Sequence, residues 1–259
     1  MKKIVVCYKW LLDDADIRVN DATRQLDYEK AKYKLNEYDR NGIETGAQLK
    51  AATGAELIGV TCGTATAASA KDALSRGLDA VTCLNTPAMA DADNRATAKV
   101  LASMIGKIGD VDLVICSEAS SDELAQQTST RVAVLLGYAS VSFVTGVEAT
   151  GDGVTLTRKL EDGLEHVSVT GPVVISVSPD FTPPIPGVKQ ILGAKKKPAN
   201  SVDLGDVGLS EADLAPQFTT ESVLAPVVSR KALRMNPEGV TLENAAATLV
   251  KHLAADGVL

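Results

Sequence analysis

A chain of 259 residues with 45% apolar residues has enough material for one large domain and its core, which excludes intrinsic disorder. Lys and Arg number 26 against 33 Asp and Glu, a formal net charge of -7. The broad positive field that nucleic acid or an anionic membrane requires is therefore missing.

The chemistry available to side chains is also narrow. No apolar run reaches the roughly 18 residues that span a bilayer, and the start MKKIVVCYKW runs into DDAD without a small-residue cleavage site, so a cytoplasmic protein is expected. Cys7, Cys62, Cys83 and Cys116 show no CxxC spacing and are read as reduced thiols rather than a metal site. Two histidines, His166 and His252, give poor material for a metal centre or a Ser-His-Asp triad. Aromatic residues make up 3%, too few for a base-stacking platform.

In chain order, KIVVCY at 3–8 is a continuous β-branched run, the pattern of a strand buried on both faces of a parallel sheet. Asn36, with Asp39 three residues on, predicts a capped helix over 37–53 that stops at Gly54. ELIGVT at 56–61 is a second buried strand, followed by the loop Cys62-Gly63-Thr64 and an alanine-rich helix ending near Arg76. A strand over 80–84 precedes Thr97, Val100, Leu101, Met104, Ile105 and Ile108, which share one helical face. DLVIC at 112–116 is the next strand, and the S-x-x-E pattern of Ser120 and Glu123 predicts a helix running from there to Gly137.

Alternating strands and helices of these lengths predict an α/β fold with a mostly parallel, doubly wound sheet. Segments 154–160 and 164–170, joined around Asp162-Gly163, predict an appended antiparallel hairpin, and 172–177 returns to the sheet. Four prolines follow within a short stretch, so 179–200 is expected to be an exposed, stiffened loop. The α/β domain is placed at 1–199. Residues 200–259, with little periodicity before a short helix at 242–253, are expected to form an arm lying on a partner subunit.

Ligands of open α/β sheets bind beyond the carboxyl ends of the strands, where loops are free and helix N-termini aim unpaired N–H groups. Cys7, Cys62 and Cys116 close predicted strands, so their loops and the helix start at Asn36 should meet in one crevice; the thiols themselves are expected to be small buried apolar groups. G-x-x-x-x-G-K-[ST] is missing, as is G-x-G-x-x-G after the first strand, which disfavours ordinary nucleotide triphosphatases and dinucleotide dehydrogenases. The loop at Cys62 and the stretch SSDELAQQTST at 120–130 supply hydroxyls and amides able to hydrogen-bond a phosphate or ribose, while Asp122 and Glu123 are equally suited to stabilising a helix N-terminus.

KIVVCYKWLLD, LNEYDRNGIETGAQLK, IGVTCGTATAASAKDALSRGLDA, DLVICSEASSDELAQQTSTRVAVLLGY, TLTRKLEDGLE and IPGVKQILGAKKKP occur in an order that resembles the beta subunit of electron-transfer flavoproteins, over nearly the whole chain. The likeness looks closest to the branch linked to anaerobic carnitine and acyl-CoA metabolism. It implies a heterodimer with an alpha subunit that carries FAD. This chain would hold AMP or, in electron-bifurcating members, a second FAD, and would be an electron carrier rather than an enzyme by itself. Carried over by position, the cofactor site would comprise Cys7, Asn36, Tyr38, Asp39, Cys62, Gly63, Asp122, Ala125, Gln126, Gln127, Thr128, Ser129, Thr130 and Ala133.

The loop holding Val188, Ile191 and Leu192 would dock an acyl-CoA dehydrogenase-type or quinone-linked redox partner, with Val188 at the position of a key leucine. The chain departs from the family pattern at Glu37-Tyr38, at Ser129 and at FTPPIPGV, which leaves open which nucleotide it takes. A stand-alone adenine-nucleotide-binding α/β sensor is the alternative.

Overall fold

A computed structural model describes residues 1–227, 232–235 and 239–259. The parts of the expected arm at 228–231 and 236–238 lie outside the described residues. The chain divides into two compact units, one of residues 1–18 and 26–222, the other of residues 19–25 and 223–259.

The first unit is built on a sheet of nine strands. In chain order the elements are β1 (Lys3–Cys7), β2 (Trp10–Leu12), β3 (Arg18–Val19), β4 (Leu26–Asp27), β5 (Tyr33–Leu35), α1 (Glu37–Thr53), β6 (Glu56–Gly63), α2 (Ala70–Ser75), β7 (Ala80–Asn85), α3 (Asn94–Ile108), β8 (Leu113–Ser117), α4 (Thr128–Leu136), β9 (Ala139–Ala149), β10 (Gly153–Lys159), β11 (Leu164–Thr170), β12 (Val173–Val177), α5 (Val188–Ala194) and β13 (Ala199–Val202). Strand order is β11-β10-β9-β12-β8-β1-β6-β7-β13. Every pair from β9 to β13 across that order is parallel, and β10 and β11 extend it as the expected antiparallel ribbon. The turn at Asp162-Gly163 closes with Leu160 N–H on Gly163 C=O at 2.9 Å.

Continuous apolar strands serve two cores. Ile4, Val6, Leu57, Leu113, Ile115 and Ile175 point to the face covered by α1, α2 and α5. Val5, Cys7, Ile58, Val60, Val114, Cys116 and Val174 point to the face covered by α3 and α4. The period of two along each strand thus distributes one apolar run onto two faces.

Helix α1 runs over the residues expected from the sequence, and Gly54 ends it at φ 74°, the left-handed conformation glycine adopts freely. It lies close on the sheet because Gly46 lacks a side chain: a Cβ there would stand 2.7 Å from Leu57 Cδ1. Helix α3 begins earlier than its apolar face suggested, capped by the Asp93 carboxylate on the Ala96 N–H at 2.8 Å.

Three expectations are corrected. The helix predicted from Ser120 begins at Thr128, and the intervening residues are irregular. The segment expected to be a loop around Val188 is the short helix α5. The body also runs past residue 199 to Ser222: the polar segment ANSV at 199–202 pairs with β7 as the edge strand, and Leu204 and Leu214 are buried against the α3 side of the core.

In the second unit, Gln25 bridges Leu224 and Ala225 N–H reaches Arg24 C=O at 2.9 Å. Helix α6 (Leu242–Ala255) is capped by Thr241. It buries only Ala245 and leaves Leu242, Leu249 and Val250 exposed. Among the described residues, no helix is long and apolar enough to cross a membrane.

Candidate functional site

The chain leaves β1 toward β6 and β7 on one side, then crosses through α3 to β8 on the other. The strand order therefore reverses between β1 and β8, the place where loops diverge and an open crevice forms. Cys7, Cys62 and Cys116 sit at or next to the carboxyl ends of β1, β6 and β8, three adjacent strands. Their thiols are turned into the core, not the crevice. The Cys116 thiol beside it and burial push Cys7 well up, and burial pushes Cys62 up to about 12, so neither is a nucleophile at neutral pH. What these strand ends offer a ligand is backbone.

Asn36 occupies the position preceding α1, yet its side chain makes no capping bond. It spans to the loop after β8 instead, donating from Nδ2 to Ala119 C=O at 2.9 Å and accepting at Oδ1 from Ser121 N–H at 3.2 Å. Asp39, expected to point back at Asn36, accepts the Lys9 N–H at 2.7 Å. Burial raises the Asp39 carboxyl to about 6, against the opposing pull of the Lys9 N–H, Ser117 and Asn36. Two buried polar side chains at the start of α1 thus tie together the loops after β1 and β8. Tyr38 lies beside them, half-buried.

Lys9, which carries no motif and was missed in the sequence, completes the arrangement. Its ammonium sits 2.7 Å from Asp122 and 3.3 Å from Glu123. Although burial disfavours its charge, these carboxylates hold it protonated, and Lys9 keeps Asp122 ionised despite that residue's own partial burial. Lys9 thus offsets one of the two negative charges that would repel a nearby phosphate. The signal that could have found Lys9 is its place, a cation two residues past the end of the first strand.

Residues 118–127 are shaped by these ties. Leu124 and Gln126 adopt φ of 48° and 54°, a conformation costly for residues with side chains and common at ligand clamps. Gln126 donates to Glu118 at 2.9 Å, and Gln127 accepts from Arg131 at 2.9 and 3.1 Å. Helix α4 then starts at Thr128 with no side chain capping the first-turn N–H groups of Thr128, the buried Ser129 and Thr130 at the positive end of the helix. Such an end suits a phosphate. Ala125 and Gly63 are half-buried at the margin, and Gly63 C=O is held by Thr86 N–H at 3.0 Å.

One candidate falls away. Ala133 is fully buried on the sheet side of α4 and its carbonyl accepts from Gly137 and Tyr138, so it supports the helix and does not line the crevice. The residues expected to dock a partner are on α5, where Val188, Ile191 and Leu192 are 74%, 38% and 59% exposed while Ala194 packs into the core. A concavity of about 680 Å³ lies at the opposite end of the sheet around Lys2, Asp112, Tyr138 and Pro172, away from the strand-end loops.

A solved structure of the C-terminal domain of the coenzyme A biosynthesis bifunctional protein CoaBC is 15% identical over 75% of this chain and 91% of that one. With a TM-score of 0.24, that likeness carries no argument. The electron transfer flavoprotein domain profile matches residues 23–207, most of the chain and all the crevice-forming elements after β1. This protein belongs to the electron transfer flavoprotein domain family.

Proposed function

We propose that the chain is the beta-type subunit of an electron-transfer flavoprotein. In this reading it holds an adenine nucleotide, AMP or a second FAD, at the crevice between β1 and β8. It works with an alpha subunit whose FAD exchanges electrons with acyl-CoA dehydrogenase-type or quinone-linked partners. Proteins with this domain are flavin-dependent electron carriers. The observation that carries the finer reading is the uncapped start of α4, set beside the Asn36 bridge and the Lys9 ion-pair cluster.

Each chain element has a task there. The N–H groups of Thr128, Ser129 and Thr130 bind the phosphate. The backbone at Cys7 and at Cys62-Gly63 lies along the nucleoside. Asn36 and Lys9 fix loop 118–127 so that these donors are aimed before the ligand arrives, which lowers the ordering cost of binding. The nucleotide supplies adenine and phosphate for recognition, or a flavin if it is FAD.

The exposed apolar side of α6 is read as the part of the arm that packs on the alpha subunit, since a soluble protein rarely leaves such a stripe uncovered. Coexpression with an alpha subunit and size-exclusion chromatography tests the assignment. A one-to-one complex supports it, and a well-behaved monomer that ignores the alpha subunit favours the stand-alone sensor.

A further inference from the structure

The proline segment and α5 do more than present apolar side chains. Between Phe181 and Val202 the sequence has four lysines and no carboxylate, in a chain whose net charge is -7. Of these, Lys197 is spent within the fold, donating to the Leu74 and Leu78 carbonyls at 3.1 and 2.6 Å. Lys189, Lys195 and Lys196 are exposed.

Beneath the prolines lies a small concavity lined by Arg40, Glu44, Arg76, Pro183, Pro184, Ile185, Pro186 and Gln190. Arg40 is partly buried there, and among the described residues it makes no hydrogen bond or ion pair; its Nε proton is buried without an acceptor. Arg76 gives only its Nε to Asp72, at 3.0 Å. Glu44 accepts from Gln48 at 2.9 Å and pairs with neither arginine. A buried guanidinium Nε–H with no acceptor is unfavourable alone and would be satisfied by an anion supplied from outside.

The concavity measures about 40 Å³. Roughly 10–15 Å³ is enough for one water, so the space suits the three heavy atoms of a carboxylate. Its lining includes Ile185, 92% exposed, and the exposed Val188 and Leu192 follow it in the chain.

We propose that Arg40 and Arg76 form a receptor for an aspartate or glutamate side chain of the redox partner protein, placed beside an apolar socket that takes Ile185 and Val188. This rests on the docking role that the family resemblance implies for Val188, Ile191 and Leu192, and adds the partner's chemistry to it. Planar guanidinium groups can grip a carboxylate through paired hydrogen bonds, and the surrounding lysines steer an acidic surface toward the site.

The test measures KM for the intact heterodimer as electron acceptor of an acyl-CoA dehydrogenase, across a sodium chloride series. The variants are Arg40→Gln, Arg76→Gln, their double, and Val188→Asp, with thermal unfolding of each as a control. The double variant should raise KM about tenfold at low salt, flatten its salt dependence and leave kcat unchanged. Val188→Asp should raise KM at every salt concentration. Arg76→Gln removes only the ion pair to the partly exposed Asp72 and carries the test if Arg40→Gln fails to fold. If Val188→Asp raises KM while the arginine variants keep the parental KM and salt slope, the carboxylate receptor is overturned and the docking role of α5 stands. If Val188→Asp has no effect either, both are overturned.

Discussion

Replacing Asp39 with Asn probes the most strained electrostatic element beside the crevice. The carboxyl is 5% exposed and is raised from its ordinary 3.8 to about 6, chiefly by burial. A group whose folded pKa is raised stabilises the fold fully below its unfolded pKa and loses that contribution as pH rises through the folded value. A rise of this size corresponds to about 3 kcal/mol, lost between roughly pH 4 and pH 7. Asn keeps an oxygen that can accept the Lys9 N–H and has no charge to bury. The stability of Asp39→Asn relative to the parent should therefore be near parity at about pH 4 and rise to a gain approaching about 3 kcal/mol at about pH 7.5. Urea unfolding of both proteins at several pH values measures this, because Asp79, Asp112 and Asp122, whose depressed pKa values give the opposite slope, cancel in the difference. A stability difference that does not change with pH would rule out a buried, titrating carboxyl at this position.

Further outcomes follow from neighbouring residues. Asn36→Ala leaves Ala119 C=O and Ser121 N–H without their partner, so it should cost about 1–3 kcal/mol in chemical unfolding. It should also weaken nucleotide retention; a shift on adding nucleotide equal to that of the parent would remove Asn36 from the site. Lys9→Met unpairs Asp122 and Glu123; because this ion pair is partly exposed, the stability loss should stay within about 1 kcal/mol, while nucleotide affinity measured by calorimetry falls. Gly46→Ala sets a methyl 2.7 Å from Leu57 and should lower stability by about 1–3 kcal/mol in thermal melts without altering the loops of the crevice.

Much of the frame was legible because the parallel strands are unbroken apolar runs and α1 and α3 end at glycines, Gly54 and Gly109. The start of α4 was not. Ser120 and Glu123 have the spacing of a capping box, but Lys9 holds Asp122 and Glu123, and Asn36 takes the Ser121 N–H, so tertiary bonds from loops over a hundred residues away in one case outweigh a local signal. Strand β13 was missed for a different reason: ANSV is an edge strand with mostly exposed side chains, and its pairing to β7 leaves no apolar pattern to read. The cysteines marked the correct strand ends, although their thiols face the core.

The family resemblance supplied most of the candidate positions, and the structure shows which of them are tied to one another. Asn36 was expected to cap a helix and instead bridges two loops. Asp39, placed to reach back to Asn36, also accepts the Lys9 N–H. Both arrangements follow from burial: a polar side chain sealed at the switch point satisfies whichever backbone groups are sealed with it.

Whether this chain itself holds an adenine nucleotide at the uncapped start of α4 is decided by denaturing the purified heterodimer and quantifying the released AMP and flavin. One adenine nucleotide beyond the alpha subunit's flavin is expected, found either as one AMP with one FAD or as two FAD per heterodimer. A complex that releases a single flavin and no AMP would contradict the nucleotide site.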